Sequence, residues 1–142
     1  MTVEAIHLGA PRVPELWTVD AVRAVAGKGL EGDRHFHEEG APPGQALTLV
    51  EAEVVEDVGL EVGETRRQIT VRGIRLNDLV GKRFRIGDVE CFGVELCEPC
   101  SHLEAMTRPG IIKELVHRAG INADIVTGGT IRVGDSVTGV WK

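Results

Sequence analysis

The segment VELCEPCSHLEAM, residues 94–106, sets Cys97 and Cys100 on either side of Glu98-Pro99, with His102 two positions further on and Cys91 upstream. Thiols at this spacing can hold a metal, form a disulfide, carry sulfur, or pack as small hydrophobes. A structural zinc site wants four soft or imidazole ligands in a tetrahedron, and Cys91, Cys97, Cys100 and His102 could supply them. Such sites usually draw on two separated ligand pairs, whereas these four residues all lie within 91–102. Cys91 also alternates with core-like residues along a strand-like stretch, which predicts a buried thiol. A thioredoxin-like dithiol needs its first cysteine at a helix N-terminus beside cations. Glu98 next to the thiols works the other way, and no βαβ pattern surrounds them. A single reactive thiol is better served. Pro99 leaves Cys100 at the end of a strand, and Ser101 can cap a short turn through SHLEAM that brings free backbone N–H groups near the sulfur. That position suits a nucleophile, a persulfide carrier or a thiolate ligand to a soft metal, with an inert packed thiol as the plain alternative. Residue types alone leave these readings open.

A second cluster is GKGLEGDRHFHEEG, residues 27–40, where glycines at 27, 29, 32 and 40 make a flexible loop crowded with Asp33, Arg34, His35 and His37. Its functional reading is an anion or cofactor clamp, in which Arg34 makes forked hydrogen bonds and Asp33 holds Arg34 or a ligand donor. A solvated loop with an Asp-Arg pair is the bland alternative. His35 and His37 point to opposite sides of an extended loop and are poor joint metal ligands. The third cluster, TRRQITVRGIR, places Arg66, Arg67, Arg72 and Arg75 in eleven residues of an otherwise acidic chain. Phosphate binding is its functional reading, and a solvated strand face the alternative.

These clusters have to be positioned by the elements around them, which read as short strands rich in Val, Ile and Thr separated by Gly-Asp and Gly-Gly turns, as in RIGDVECF and VTGGTIRV. VEAIHL, WTVDAVRAV, QALTLV, RQITV, RFRIG, VECFGVEL, ADIVTG and TIRVGDSVTGVW are expected strands. Two stretches follow helical spacing. Val50, Val54, Val55 and Val58 share a face before Gly59, and Ile111, Ile112, Leu115, Val116 and Ala119 share another, with Pro109 at its start and His117 and Arg118 in its last turn. The expected architecture is mostly β, a closed or partly closed β-barrel-like domain over residues 1–142 with two or three short helices.

Composition narrows the function classes. The 142 residues include 42% hydrophobic and 27% charged side chains and no apolar run near the length that crosses a bilayer, so a soluble, cytoplasmic protein without a membrane association is expected. A net charge of −6 and only 4% aromatics argue against nucleic acid as a partner. Three cysteines, an odd number, argue against a disulfide framework.

Taken in order, GLEGDRHF, QALTLVEAEVVED, RRQITVRGIRLNDLVGKRFRIGDVECFGVELCEPC and GIIKELVHRAGINADIVTGGTIRVGDSV resemble the MOSC domain, named for the C-terminal domain of the molybdenum cofactor sulfurase, over about Gly29 to Val137. The resemblance is to a standalone, bacterial-type member. It implies a β-barrel-like MOSC fold and a functional cysteine in the Pro-Cys motif, which falls on Cys100 as both the catalytic group and the metal ligand. It also implies molybdenum cofactor (molybdopterin) binding, with Asp33, Arg34, His35, Arg66 and Arg67 on the cofactor side. A sulfur-rich molybdenum centre suits a thiolate ligand, and the phosphate of the pterin suits arginines. At Gln68 or Thr70 the chain departs from the family, which tends to have Asn there. Three functions follow as expectations: a cofactor-dependent reductase of N-hydroxylated compounds, a persulfide carrier delivering sulfur to metal–sulfur centres, or a zinc-stabilised or metal-free binding module. The first would draw on an external electron donor as partner, the second on a cysteine desulfurase.

Overall fold

A computed structural model describes residues 1–139. The chain runs β1 (Thr2–Gly9), β2 (Leu16–Val19), β3 (Ala21–Val25), β4 (Gly29–Leu30), β5 (Leu47–Glu51), α1 (Ala52–Asp57), β6 (Ile69–Arg72), β7 (Arg83–Ile86), β8 (Val89–Leu96), α2 (Ser101–Met106), α3 (Ile111–Leu115), β9 (Ile121–Thr127), β10 (Gly129–Arg132) and β11 (Val137–Gly139), with a 3-10 turn at Leu76–Leu79 before β7. Eight strands form one sheet in the order β11-β7-β8-β9-β5-β6-β1-β2, and β10-β3-β4 form a second. Pairing is antiparallel except between β5 and β6, whose parallel register Leu49 to Ile69 needs the α1 crossover to return the chain.

The mostly β architecture agrees with the sequence, but barrel-like describes it only loosely. Among the described residues no continuous ladder closes the large sheet. A single bridge, Thr2 to Ser136, ties the start of β1 to the segment leading into β11, helped by Val3 N–H donating to the Asp135 carbonyl and Gly134 N–H donating to Val3. WTVDAVRAV is not one strand. It breaks at Asp20, so β2 joins the large sheet and β3 the small one. Val50 belongs to β5 rather than to the α1 face, and α3 stops at Leu115, which leaves His117 and Arg118 outside the expected last turn. Trp141 of the last expected strand lies outside the described residues.

Two apolar clusters hold the elements. The main one packs between the sheets around fully buried Ile6, Leu30, Leu49, Ile69, Phe84 and Ile121, and Cys91 is buried among them. Each such side chain contributes about 1.5–3 kcal/mol by leaving water. A satellite cluster joins the three helices through Val54, Val58, Leu103, Ile111, Leu115 and Ala119. Leu103 is the one buried residue of α2, so a single side chain anchors the short helix that follows Cys100.

Candidate cofactor site

The loop after β4 is organised by Asp33, which is 8% exposed. Its Oδ1 accepts from Gly9 N–H at 2.8 Å, and its Oδ2 accepts from His35 N–H at 3.1 Å and from Gln68 Nε2 at 2.7 Å. A buried carboxylate is tolerated when donors surround it in this way. Asp33 therefore ties the loop to β1 and β6 instead of pairing with Arg34. Gln68 is used on both sides: Oε1 accepts from Thr48 N–H at 2.9 Å and its backbone N–H donates to Thr48 Oγ1 at 2.9 Å. This brace holds β5, β6 and the 33–35 turn in one frame.

Arg34 leaves the frame in the opposite direction. Its Nε contacts His35 Nε2 at 3.2 Å and its Nη1 reaches the Val13 carbonyl at 3.5 Å, while Arg66 Nη1 donates to the Pro14 carbonyl at 2.8 Å. Together with Arg12, His102 and Met106, these two arginines line a chamber of about 360 Å³ that has no acidic residue in its wall. Burial and the nearby Arg34 guanidinium both hold Arg66 below its ordinary value, which marks an uncompensated positive site. Water withdrawn from the His35 ring lowers it too, with Asp33 opposing and Arg34 adding to the shift. Arg12 and Arg66 both take positive φ, 62° and 63°, a conformation that costs a side-chain-bearing residue about 1 kcal/mol or more. Their side chains are aimed into the same space by strained backbone.

The cysteine loop runs into the N-terminus of α2. Cys100 is exposed and caps α2 with extended backbone, φ −129° and ψ 169°. Arg67 does not face the basic chamber. Its guanidinium donates to the carbonyls of Ala119 (2.9 Å), Cys97 (3.1 Å) and Thr65 (3.3 Å) and reaches Glu98 (3.5 Å), so one side chain pins the start of the CEPC loop to β6 and to the turn before β9. Cys97 N–H donates to Gly120 at 2.8 Å. Gly120, at φ +106°, lies so close to the Leu49 carbonyl that any Cβ would overlap it. From the other flank Glu98 accepts from His117 N–H at 2.7 Å and meets His117 Nδ1 at 2.6 Å.

The three thiols differ in availability. Burial pushes Cys91 up to about 12 and leaves it inert. Burial also raises Cys97, more than the Arg67 guanidinium lowers it. Cys100 alone is exposed, so the sulfur best placed to react or ligate is the one in the Pro-Cys motif. Among the described residues no three His, Cys, Asp or Glu side chains gather in a metal-holding group.

The proposed site residues thus separate by role. Arg34, Arg66 and His102 meet in one chamber, Asp33 and Gln68 brace it from behind, His35 flanks Arg34, and Arg67 positions the cysteine loop. Cys100 is not among the chamber-lining residues and stands two positions before His102, which is. Arg12 and Met106 were not legible as site residues. The one signal for Arg12 is its setting in APRVPEL, where Pro11 and Pro14 fix the backbone around it. No helix among the described residues is long and apolar enough to cross a membrane.

Comparison with known proteins bears on the fold and the family. The model of the MOSC domain matches residues 34–138. No curated protein matches the chain at a significant level. Among solved structures, the YuaD protein of Bacillus subtilis superposes with a TM-score of 0.80 at 16% identity, covering 100% of this chain and 98% of that one. YiiM of Geobacillus stearothermophilus gives 0.74 at 18% identity over 99% and 75%, and YiiM of Escherichia coli gives 0.68 at 16% over 100% and 71%. At these identities the structures share the fold with this chain, and the family match, which spans well over half its length, shows that the chain belongs to the MOSC domain family.

Proposed function

We propose that this protein binds molybdenum cofactor, with Cys100 as thiolate ligand to the metal and the basic chamber as the seat of the phosphate. The observation that carries this reading is the chamber itself, where Arg12, Arg34 and Arg66 converge with no carboxylate in the wall, and the partners of Arg34 and Arg66 are backbone carbonyls and the His35 ring. An uncompensated guanidinium cluster of this kind fits a phosphate, which accepts forked hydrogen bonds. The bound cofactor would supply two-electron chemistry, in which an N-hydroxylated compound takes up two electrons and two protons and yields the amine and water. The chain's own residues hold and orient. Arg34 and Arg66 bind the anion, Asp33 and Gln68 fix the turn that carries Arg34, and Arg67 fixes the loop that presents Cys100. Electrons would come from an external donor protein.

The test is protein produced in a host that synthesises the cofactor, assayed for molybdenum by elemental analysis and for pterin by fluorescence after oxidation. Both should accompany the wild type. Arg66→Ala should lose both, and Cys100→Ser should lose molybdenum. Wild-type protein that carries neither, or a Cys100→Ser variant with full molybdenum content, overturns the reading.

One observation favours a second reading. Cys100 is exposed outside the chamber, as a sulfur that must meet another protein would be. The Cys100 thiolate would then attack the outer sulfur of a desulfurase persulfide, releasing the enzyme's thiolate and leaving Cys100 as a persulfide. Cyanide-releasable sulfur on Cys100, absent from Cys100→Ser, would support it.

A further inference from the structure

Next to the basic chamber, and sharing Pro14, Arg66 and Met106 with it, lies a second chamber of about 330 Å³. Leu16, Val62 and Met106 give it apolar walls, and one wall is His7, a histidine within β1 that is only 7% exposed. A buried polar ring normally has its hydrogen bonds made. Here Nδ1 is sealed in the protein with no partner. The ring reaches the chamber wall because residue 63 is glycine: a Cβ there would stand 2.6 Å from His7 Nε2. Burial holds His7 below its ordinary value, so the ring is neutral at pH 7 and carries one proton. A stranded N–H is rarer in folded proteins than an unused acceptor, which places that proton on Nε2, toward Gly63.

We infer that this second chamber is a ligand site for a small carboxylate with a flat apolar body, its oxygens accepting from His7 Nε2–H and the Arg66 guanidinium and its body lying between Val62 and Met106. Two donors of this kind, one charged and one neutral, match an anionic oxygen pair, and the walls match an aryl or alkyl group. Glu64, the one carboxylate in the wall, already accepts from Glu61 N–H at 2.6 Å.

The test is nuclear magnetic resonance of the isotope-labelled full chain without cofactor, titrated separately with benzoate and with inorganic phosphate. Benzoate should shift the His7 ring and the Met106 methyl saturably, and His7→Leu, which keeps the apolar bulk and removes the donor, should weaken it about tenfold, the loss of one hydrogen bond to a charged group. Ile86 and Ile131 methyl signals, from the buried core, verify that the variant is folded. Benzoate that shifts Arg34 and His102 while leaving His7 unmoved, or that binds His7→Leu as tightly as wild type, overturns the inference, as does the absence of saturable shifts. Phosphate reports on the proposed function separately. It should shift Arg34 and His102 and spare His7. Phosphate without effect, beside benzoate that moves His7, would remove the phosphate reading and leave the carboxylate site standing.

Discussion

The carboxylate of Asp33 accepts a 2.7 Å hydrogen bond from Gln68 Nε2 in the protein interior, joining a glycine-rich loop to the residue that leads into β6, 35 positions away in sequence. Removing either partner strands the other. Asp33→Ala leaves Gly9 N–H, His35 N–H and the Gln68 amide without an acceptor, and should cost about 3 kcal/mol in denaturant unfolding. Gln68→Leu leaves Asp33 with two donors and Thr48 N–H without an acceptor, at a cost of about 2 kcal/mol. Because the two share one bond, the double variant should cost less than the sum of the singles, and a double-mutant cycle that shows simple additivity refutes the coupling.

The cysteines should separate by rate toward an alkylating reagent followed by mass spectrometry of the native protein. Cys100 reacts first because it is exposed, Cys97 slowly because burial keeps it protonated, and Cys91 only on unfolding. Arg67→Met removes the donor that grips the Ala119, Thr65 and Cys97 carbonyls. In that variant amide exchange at Cys97 should accelerate and the gap between Cys97 and Cys100 labelling should narrow. An unchanged gap would show that the loop is held without Arg67.

Glu98 and His117 give the loop a pH response. The His117 backbone N–H, then its ring, hold Glu98 below its ordinary carboxylate value. A carboxylate lowered on folding contributes stability that is fully present above its unfolded value and is lost as pH falls through its folded value. The His117 amide signal should accordingly titrate in acid, with a midpoint below that of a free glutamate, and should not titrate in Glu98→Gln. A midpoint at or above the free value contradicts the contact.

The sequence was informative wherever side-chain type and local spacing decide the outcome. CEPC alone left its thiols open among several chemistries, and only its place after GDRHF and the arginine-rich strand, read as a resemblance to the MOSC family, pointed to Cys100; the period-2 apolar stretches of RFRIG and VECFGVEL became β7 and β8. It was uninformative where distant contacts decide. Arg66 and Arg67 are neighbours of one type, yet one faces the chamber and the other turns to four backbone carbonyls, a division set by where Pro14 and Ala119 lie in the fold. His7 reads as an ordinary strand residue, and only the approach of Gly63 gives its ring a cavity to face. Val50 matches a helical stripe as well as it matches a strand, and its place in β5 follows from pairing with Thr70 on β6.

Arg66 should show stability and binding moving in opposite directions. Its φ of 63° is unfavourable for any residue with a Cβ and natural for glycine. Arg66→Gly relieves that strain, and what it gives up in the folded protein is one hydrogen bond to the Pro14 carbonyl at a half-exposed position. The net change should be a gain of up to about 1 kcal/mol in thermal or denaturant unfolding. The same substitution removes the guanidinium common to both chambers, so phosphate and benzoate should each bind at least about tenfold more weakly. Arg66→Ala keeps the strain while losing the charge, and it should match the glycine variant in weak binding without the gain in stability. Equal stability of the two variants would show that the backbone at 66 is relaxed, whereas retained anion binding in both would move the cationic site to Arg12 and Arg34 alone.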